Sequence, residues 1–328
     1  MCQKSSVLKN VYTDSAKDMK FDELEKLLRE NAKYISLVRL SGGEPLHYRD
    51  ISKLIDVLDQ LKMKYALLTN GSLLTPEISK KLILNCIEIS ISIDSADKQI
   101  YSKMRYPGNL DSVSENINFL NKLKSSNKSK TPILNVAATT FSFNISGVSD
   151  LIKFCHSHGI PTISVSEGGY YHTPEIQQKH LIKHHPKKIK SSIEKAKKIA
   201  KELKITLRLS SEILNSTDGK ITSYDRKQIT ACTNFYIYAS VDSHLDVFAC
   251  GLSYSIGNLS GESLENIWNG KKYGFVKARE GMRNKKLPDS CKYCVDYNTR
   301  RLEDTQVYSY TMLQEELAKN VTTKPKLH

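Results

Sequence analysis

Apolar positions along this chain of 328 residues follow two periods that alternate six times. Phe21, Leu24, Leu27 and Leu28 share one face of a helix over residues 20–33, and residues 34–40 then read as a strand running into two glycines. The same rhythm repeats as helix 51–61 with strand 65–69, 76–84 with 87–94, 110–123 with 133–140, 148–158 with 162–166, and 188–203 with 205–209. Apolar, β-branched strands alternating with helices predict a parallel sheet covered by helices, with function at the strands' C-terminal ends. The loops at those ends read Ser41-Gly-Gly-Glu-Pro45, Thr69-Asn-Gly71, Ser92-Ile-Asp-Ser95 and Ser166-Glu-Gly-Gly169.

Near Ser210 the rhythm stops. Beyond it the chain has short strand-like pieces (236–241 and 245–249), four of the seven cysteines and the only tryptophan, Trp268. This predicts an α/β domain over 1–209, a small cysteine-rich α+β module over 210–303, and a C-terminal helix and tail over 304–328, its last eight residues disordered. With 39% hydrophobic residues and only 15 Gly and 9 Pro, the chain can bury a core, which excludes collagen-like and wholly disordered classes. No run of eighteen apolar residues occurs and the N-terminus lacks a signal-type apolar stretch, so the expectation is a cytoplasmic protein with no membrane contact.

The net charge is +14, and much of it is local. Residues 179–204 hold ten lysines against Glu194 and Glu202, while Ile189, Ile193, Ala196, Ala200 and Leu203 recur at helical spacing among them. That pattern predicts a surface helix coated with lysine. No aromatic residues interleave the lysines as a stacking platform requires, so no nucleic-acid partner is expected. His180, His184 and His185 sit in the same stretch and read as solvated polar residues, whereas His156 and His158 precede Gly159 as at a helix end.

In a reducing compartment, cysteines act as free thiols or metal ligands. Cys86 and Cys155 lie in apolar surroundings and read as buried inert thiols. Cys232, Cys250, Cys291 and Cys294 offer four thiolates, the last two with the two-residue spacer that lets both sulfurs face one metal centre. Spacing alone leaves tetrahedral zinc and a [4Fe–4S] cluster both open.

The succession of Cys2, Ser41-Gly-Gly-Glu-Pro45, Leu68-Thr-Asn-Gly71, Ile91-Ser-Ile-Asp94 and Tyr101-Ser-Lys-Met-Arg105 resembles the radical S-adenosylmethionine (SAM) superfamily. Gly257-Asn-Leu259 and Ser263-Leu-Glu-Asn-Ile-Trp-Asn-Gly270, set between the later cysteines, resemble the SPASM/twitch extension that holds an auxiliary iron–sulfur cluster. The resemblance implies a partial (β/α)6 barrel of the TIM type, here lacking its first strand. It also implies a [4Fe–4S] cluster on a Cys-x3-Cys-x2-Cys loop, and reductive cleavage of SAM to a 5′-deoxyadenosyl radical that abstracts a substrate hydrogen.

Residue by residue, Cys2 matches the third cysteine of that loop and is the remaining catalytic-cluster ligand. Gly42, Gly43 and Glu44 match the stretch that meets the SAM amino group. Ser92 and Asp94 match a position near the ribose, and Arg105 matches a partner of the SAM carboxylate. Cys232, Cys250, Cys291 and Cys294 would hold the auxiliary [4Fe–4S] cluster. Arg300 stands where a further thiolate falls in relatives with two auxiliary clusters, which implies one.

The two earlier loop cysteines would precede Met1, so the expectation is a start site placed inside a longer protein, inactive without the upstream residues. An oxidoreductase that dehydrogenates its substrate with help from the auxiliary cluster is the leading expectation. Peptide maturation and a degenerate non-catalytic metal-binding protein are the alternatives. The implied partners are a small-molecule or peptide substrate and an electron donor such as flavodoxin or ferredoxin.

Overall fold

The structure is a computed structural model that describes residues 18–168, 179–210, 213, 234–249, 255–271 and 273–284. The chain divides into two compact units, Met1–Thr222 and Ser223–His328.

The first unit alternates helix and strand throughout: α1 (Phe21–Asn31), β1 (Val38–Leu40), α2 (Ile51–Gln60), β2 (Tyr65–Thr69), α3 (Pro76–Leu82) and β3 (Cys86–Ser92). It continues with α4 (Lys98–Met104), α5 (Leu110–Ser126), β4 (Ile133–Thr140), α6 (Val148–Ser157), β5 (Thr162–Glu167), α7 (Pro186–Glu202) and β6 (Thr206–Leu209). The six strands lie side by side in chain order and all pairs are parallel. Right-handed crossovers between strands that advance in one direction put every helix on the same face, which is the geometry of a partial barrel.

The helix-covered face carries Ile89, Ile91, Leu134, Val136, Ile163 and Val165, fused into one core with Leu58 of α2, Ile117 of α5, Ile152 of α6 and Ile193 of α7. Alternation turns Glu88, Ser90, Asn135 and Ser164 to the other face. There Ser164 Oγ donates to Asn135 Oδ1 (3.1 Å), Asn135 Nδ2 to Ser90 Oγ (3.0 Å), and Ser90 Oγ to Glu88 Oε1 (2.8 Å). This row crosses three strands with its polar groups satisfied in series, so the face can be buried without being apolar.

The helices turn into the strands by one repeated device. Lys62, Lys128, Gly159 and Lys204 take positive φ just past the ends of α2, α5, α6 and α7. Bonds such as Met63 N to Leu58 O (2.9 Å) and Ile160 N to Cys155 O (2.8 Å) close the helix ends. His158 Nδ1 at the end of α6 lies 2.9 Å from Phe154 O, as its helix-end reading requires. The lysine-coated helix is α7, and it buries Ile189, Ile193, Ala196 and Ala200.

In the first unit the strand over 34–40, the helix count and the setting of His180 differ from expectation, whereas Cys86 and Cys155 are buried as expected. The strand predicted over 34–40 is only Val38–Leu40, and α4 is an additional helix, started by Asp97 Oδ1 accepting from Gln99 N (2.8 Å) and Ile100 N (2.9 Å). His180 is not simply solvated: its ring meets Phe143 edge-on at 5.7 Å, and its carbonyl accepts from Ser142 N (2.7 Å). Cys86 and Cys155 are fully buried, and burial raises both thiols, Cys155 to about 12, which keeps them protonated and inert. Among the described residues no helix is long and apolar enough to cross a membrane.

The second unit contains α8 (Asn234–Ile237), β7 (Ser240–Val241), β8 (Asp246–Phe248), β9 (Gly257–Asn258), α9 (Leu264–Asn269) and α10 (Phe275–Arg283). Tyr236 is therefore helical rather than the start of a strand. The strands form an antiparallel sheet in the order β7-β8-β9, over a core of Phe235, Val247, Ala249, Ile256, Ile267 and Phe275. Gly257 is required because a Cβ there would meet Ile267 side-chain atoms at 2.8 Å. Asn258 Nδ2 donates to His244 O (2.9 Å) and Asp246 Oδ1 (3.1 Å), tying β9 to the β7–β8 turn. Arg279 lies over the Trp268 ring at 4.8 Å and donates through Nε to Phe235 O (2.8 Å).

Leu245, in the β7–β8 turn, has φ 64°, a left-handed conformation that costs a non-glycine residue about 1–2 kcal/mol. The turn forms nonetheless, because Asp242 Oδ1 accepts from His244 N (2.9 Å) and Asp246 N (3.0 Å). Leu245→Gly is expected to stabilise the second unit by about 0.5–1 kcal/mol, read as a higher denaturation midpoint. A lower midpoint would show that the leucine side chain outweighs the backbone strain.

Candidate functional site

The strands' C-terminal ends carry two hydrogen-bonded assemblies. The first joins the loops after β1 and β2. Gly42 is exposed with φ 137°, a conformation that favours glycine, and among the described residues, its chain neighbours aside, no atom lies within 4 Å of where its Cβ would be. Gly43 beside it is also exposed. Glu44 follows and its carboxylate takes three donors: Oε1 accepts from Leu46 N (3.2 Å) and Thr69 Oγ1 (2.6 Å), and Oε2 from Asn70 N (2.6 Å). Thr69 Oγ1 in turn accepts from Gly71 N (3.0 Å). Gly71 has φ 81°, and a Cβ there would meet Ile91 at 2.9 Å and Val113 at 3.0 Å. The Ser-Gly-Gly-Glu-Pro and Leu-Thr-Asn-Gly motifs, separate in sequence, are thus one unit in space, and Glu44 is its fastener.

The second assembly joins the ends of β3 and β4 with the end of α4. The Asp94 side chain has no exposure to solvent, while Arg105 is 21% exposed. Arg105 grips Asp94 side-on: Nε donates to Oδ2 (2.5 Å) and Nη2 to Oδ1 (3.0 Å). Asp94 Oδ1 also accepts from Thr139 N (2.8 Å). Both carboxylate oxygens are occupied, whereas Nη1 of Arg105 has no partner among the described residues. A planar guanidinium held along one edge keeps its other edge for a second anion. Ser92 ends β3, half-buried, on the face opposite Ile91.

Of the residues selected from sequence, Gly42, Gly43 and Glu44 fall in the first assembly and Asp94 and Arg105 in the second. Cys2, Cys232, Cys250, Cys291 and Cys294 lie outside the described residues, as does the 304–328 segment. Among the described residues no group of three or more His, Cys, Asp or Glu could hold a metal ion. Sequence reasoning missed Asn144, which is 2% exposed and bonded to both Asp94 and Thr139. Its setting, Phe-Ser-Phe-Asn after a strand, has no signature beyond the preference of asparagine for loops.

The Glu44 fastener makes a prediction about stability. Glu44→Ala leaves Asn70 N–H and the Thr69 hydroxyl without their acceptor, so unfolding should cost about 1–3 kcal/mol less, while Glu44→Gln, which keeps an acceptor, should lose less. Denaturant titration measures this, and equal losses in the two variants would contradict it.

Comparison with known proteins agrees with this geometry. A family described as the radical SAM superfamily matches residues 1–137, and one described as an iron–sulfur cluster-binding domain, SPASM, matches residues 232–295, a span that contains Cys232, Cys250, Cys291 and Cys294. A probable GTP 3′,8-cyclase of Methanocaldococcus jannaschii is 27% identical over 168 residues, covering 48% of this chain and 54% of that protein. The radical SAM cyclopropyl synthase TigE of Paramaledivibacter caminithermalis is 30% identical over 148 residues, covering 43% and 29%. The chain therefore matches about half or less of the length of these relatives.

Among solved structures, Streptococcus suis SuiB bound to precursor peptide SuiA has a TM-score of 0.60 at 17% identity over 84% of this chain and 62% of that one. Native anSMEcpe with bound AdoMet has 0.59 at 16% identity over 93% and 89%. These two likenesses establish the fold. The matched domains are ones that bind [4Fe–4S] clusters and SAM. Taken with the six-stranded parallel half-barrel, they show that the chain carries a radical SAM domain and a C-terminal SPASM domain.

Proposed function

We propose that the protein binds SAM across the two strand-end assemblies and abstracts a hydrogen atom from its substrate. The observation that carries this reading is Arg105: a guanidinium fixed on one edge by a buried carboxylate, with the other edge open at the end of the sheet. That edge suits the SAM carboxylate. The exposed glycines of the β1 loop let the SAM ammonium approach Glu44, whose Oε2 accepts one hydrogen bond and has room for another. Ser92, at the end of β3, would lie on the ribose side in this reading. Asp94, with both oxygens engaged, acts through Arg105.

Cys2 would be one ligand of the catalytic [4Fe–4S] cluster, and Cys232, Cys250, Cys291 and Cys294 would close the auxiliary one. The chemistry these groups supply when bound is one-electron cleavage of SAM to a 5′-deoxyadenosyl radical and, at the auxiliary centre, an acceptor for a substrate electron. Fully thiolate-ligated iron suits electron transfer rather than Lewis-acid chemistry, which favours dehydrogenation of the substrate.

A peptide substrate is the second reading. Its support is the row of Ser90, Asn135 and Ser164 on the inner face, whose hydroxyl and amide groups suit a chain of amides, and the peptide bound to the structurally similar SuiB. An external one-electron donor of the flavodoxin or ferredoxin kind completes the reaction.

Two measurements test this. Anaerobic reconstitution of the full chain should yield a brown protein, and Cys291→Ala or Cys294→Ala should each remove about four iron and four sulfide. A colourless zinc protein would instead support a non-catalytic metal-binding role. Calorimetric titration of SAM should show at least about tenfold weaker binding for Arg105→Ala, and no change for Lys197→Ala on the lysine-coated helix. Equal weakening in both variants would put the pocket elsewhere.

A further inference from the structure

We propose that Asn144 is the positioning residue for Arg105, setting the direction in which that guanidinium meets a ligand carboxylate; this rests on the reading of Arg105 as the carboxylate partner of SAM. Asn144 lies in the loop after β4, at the start of a single 3-10 turn, Ile145–Gly147. It is 2% exposed. Its Oδ1 accepts from Phe141 N (2.7 Å), which closes the turn leaving β4. Its Nδ2 donates to Asp94 O (2.9 Å) and Thr139 O (3.0 Å), and lies 3.4 Å from Met104 Sδ.

These contacts converge on one object. The last sheet bond at the end of β3 is Ile93 N to Ala137 O (3.1 Å), so the Asp94 carbonyl has left the ladder, and Asn144 is the group that claims it. Thr139, the other carbonyl that Asn144 holds, donates its own N–H to Asp94 Oδ1. Asp94 is therefore fixed at its backbone by Asn144 directly and at its carboxylate by a residue Asn144 also fixes. Met104 immediately precedes Arg105, so the amide touches the chain on both sides of the ion pair. Only a short side chain with one acceptor and two donors can make this set of bonds. Asparagine has that stem and inventory, glutamine is longer, and aspartate lacks the donors.

A residue that only stabilises the fold would affect every ligand of the site alike. A residue that aims Arg105 affects only ligands that carry the carboxylate, and does so through Arg105. The test is calorimetric titration of SAM and of 5′-methylthioadenosine, which lacks the amino-acid end, into the reconstituted full chain and its Asn144→Ala, Arg105→Ala and doubly substituted variants.

Asn144→Ala should weaken SAM about tenfold and 5′-methylthioadenosine less than about twofold, and the double variant should bind SAM no more weakly than Arg105→Ala alone. Equal losses for the two ligands, or additive losses in the double variant, would overturn the proposal while leaving the SAM site standing. Should Asn144→Ala not fold, Asn144→Asp keeps the acceptor for Phe141 N and removes the donors to Asp94 and Thr139. It should show the same selective loss, and unaltered SAM binding by it would overturn the proposal. Failure of the unaltered chain to bind SAM would overturn the site reading itself, and this inference with it.

Discussion

A carboxylate that folding takes entirely out of water must be matched, and around Asp94 that requirement organises the end of the sheet. Removing one partner of such a pair leaves an uncompensated buried charge, at a cost of about 3–5 kcal/mol. Asp94 is matched by the Arg105 fork and the Thr139 amide, and these come from different elements. For the match to form, β3 must end beside β4, α4 must stop one residue before Arg105, and the β4 loop must turn inward at Asn144. Satisfying the charge therefore fixes the relative placement of three loops. It also leaves a half-used guanidinium at the mouth of the half-barrel.

Glu44 has a similar role at the neighbouring pair of strands, β1 and β2. Its three donors come from its own loop and from the end of β2, so the glycine loop is held open at a defined height above the sheet. Both assemblies use carboxylates to hold together loops that are distant in sequence. The inner face behind them is polar and closed by the Glu88, Ser90, Asn135 and Ser164 row, while the opposite face carries the hydrophobic core. The hydrophobic core and the polar row thus occupy different faces of the same sheet.

Much of this architecture was legible in the sequence, because burial writes a period into it. Ile189, Ile193, Ala196 and Ala200 mark the buried stripe of α7 as clearly in the string as in the structure. The strand over Tyr65–Thr69 has the predicted bounds. The site motifs were legible as residues but not as bonds. Nothing in the string shows that Glu44 is fastened to Asn70, that Asp94 and Arg105 hold each other, or that Asn144 belongs with them, since these pairings depend on which strand ends become neighbours. Short elements were the least legible. The helix α4 has seven residues and a cap but too few turns to establish a period, and Tyr236, aromatic and next to strand-like residues, is helical in a four-residue turn.

SAM held at the C-terminal ends of β1 to β4 would shield the backbone amides there from solvent. Hydrogen exchange followed by mass spectrometry, on the reconstituted chain with and without SAM, tests that placement most directly, because it locates the ligand by the amides it protects. The expected result is added protection in residues 41–47, 69–72, 93–106 and 139–146, with α7 and its lysines unchanged. Protection concentrated on α7, or distributed without preference over the first unit, would contradict it.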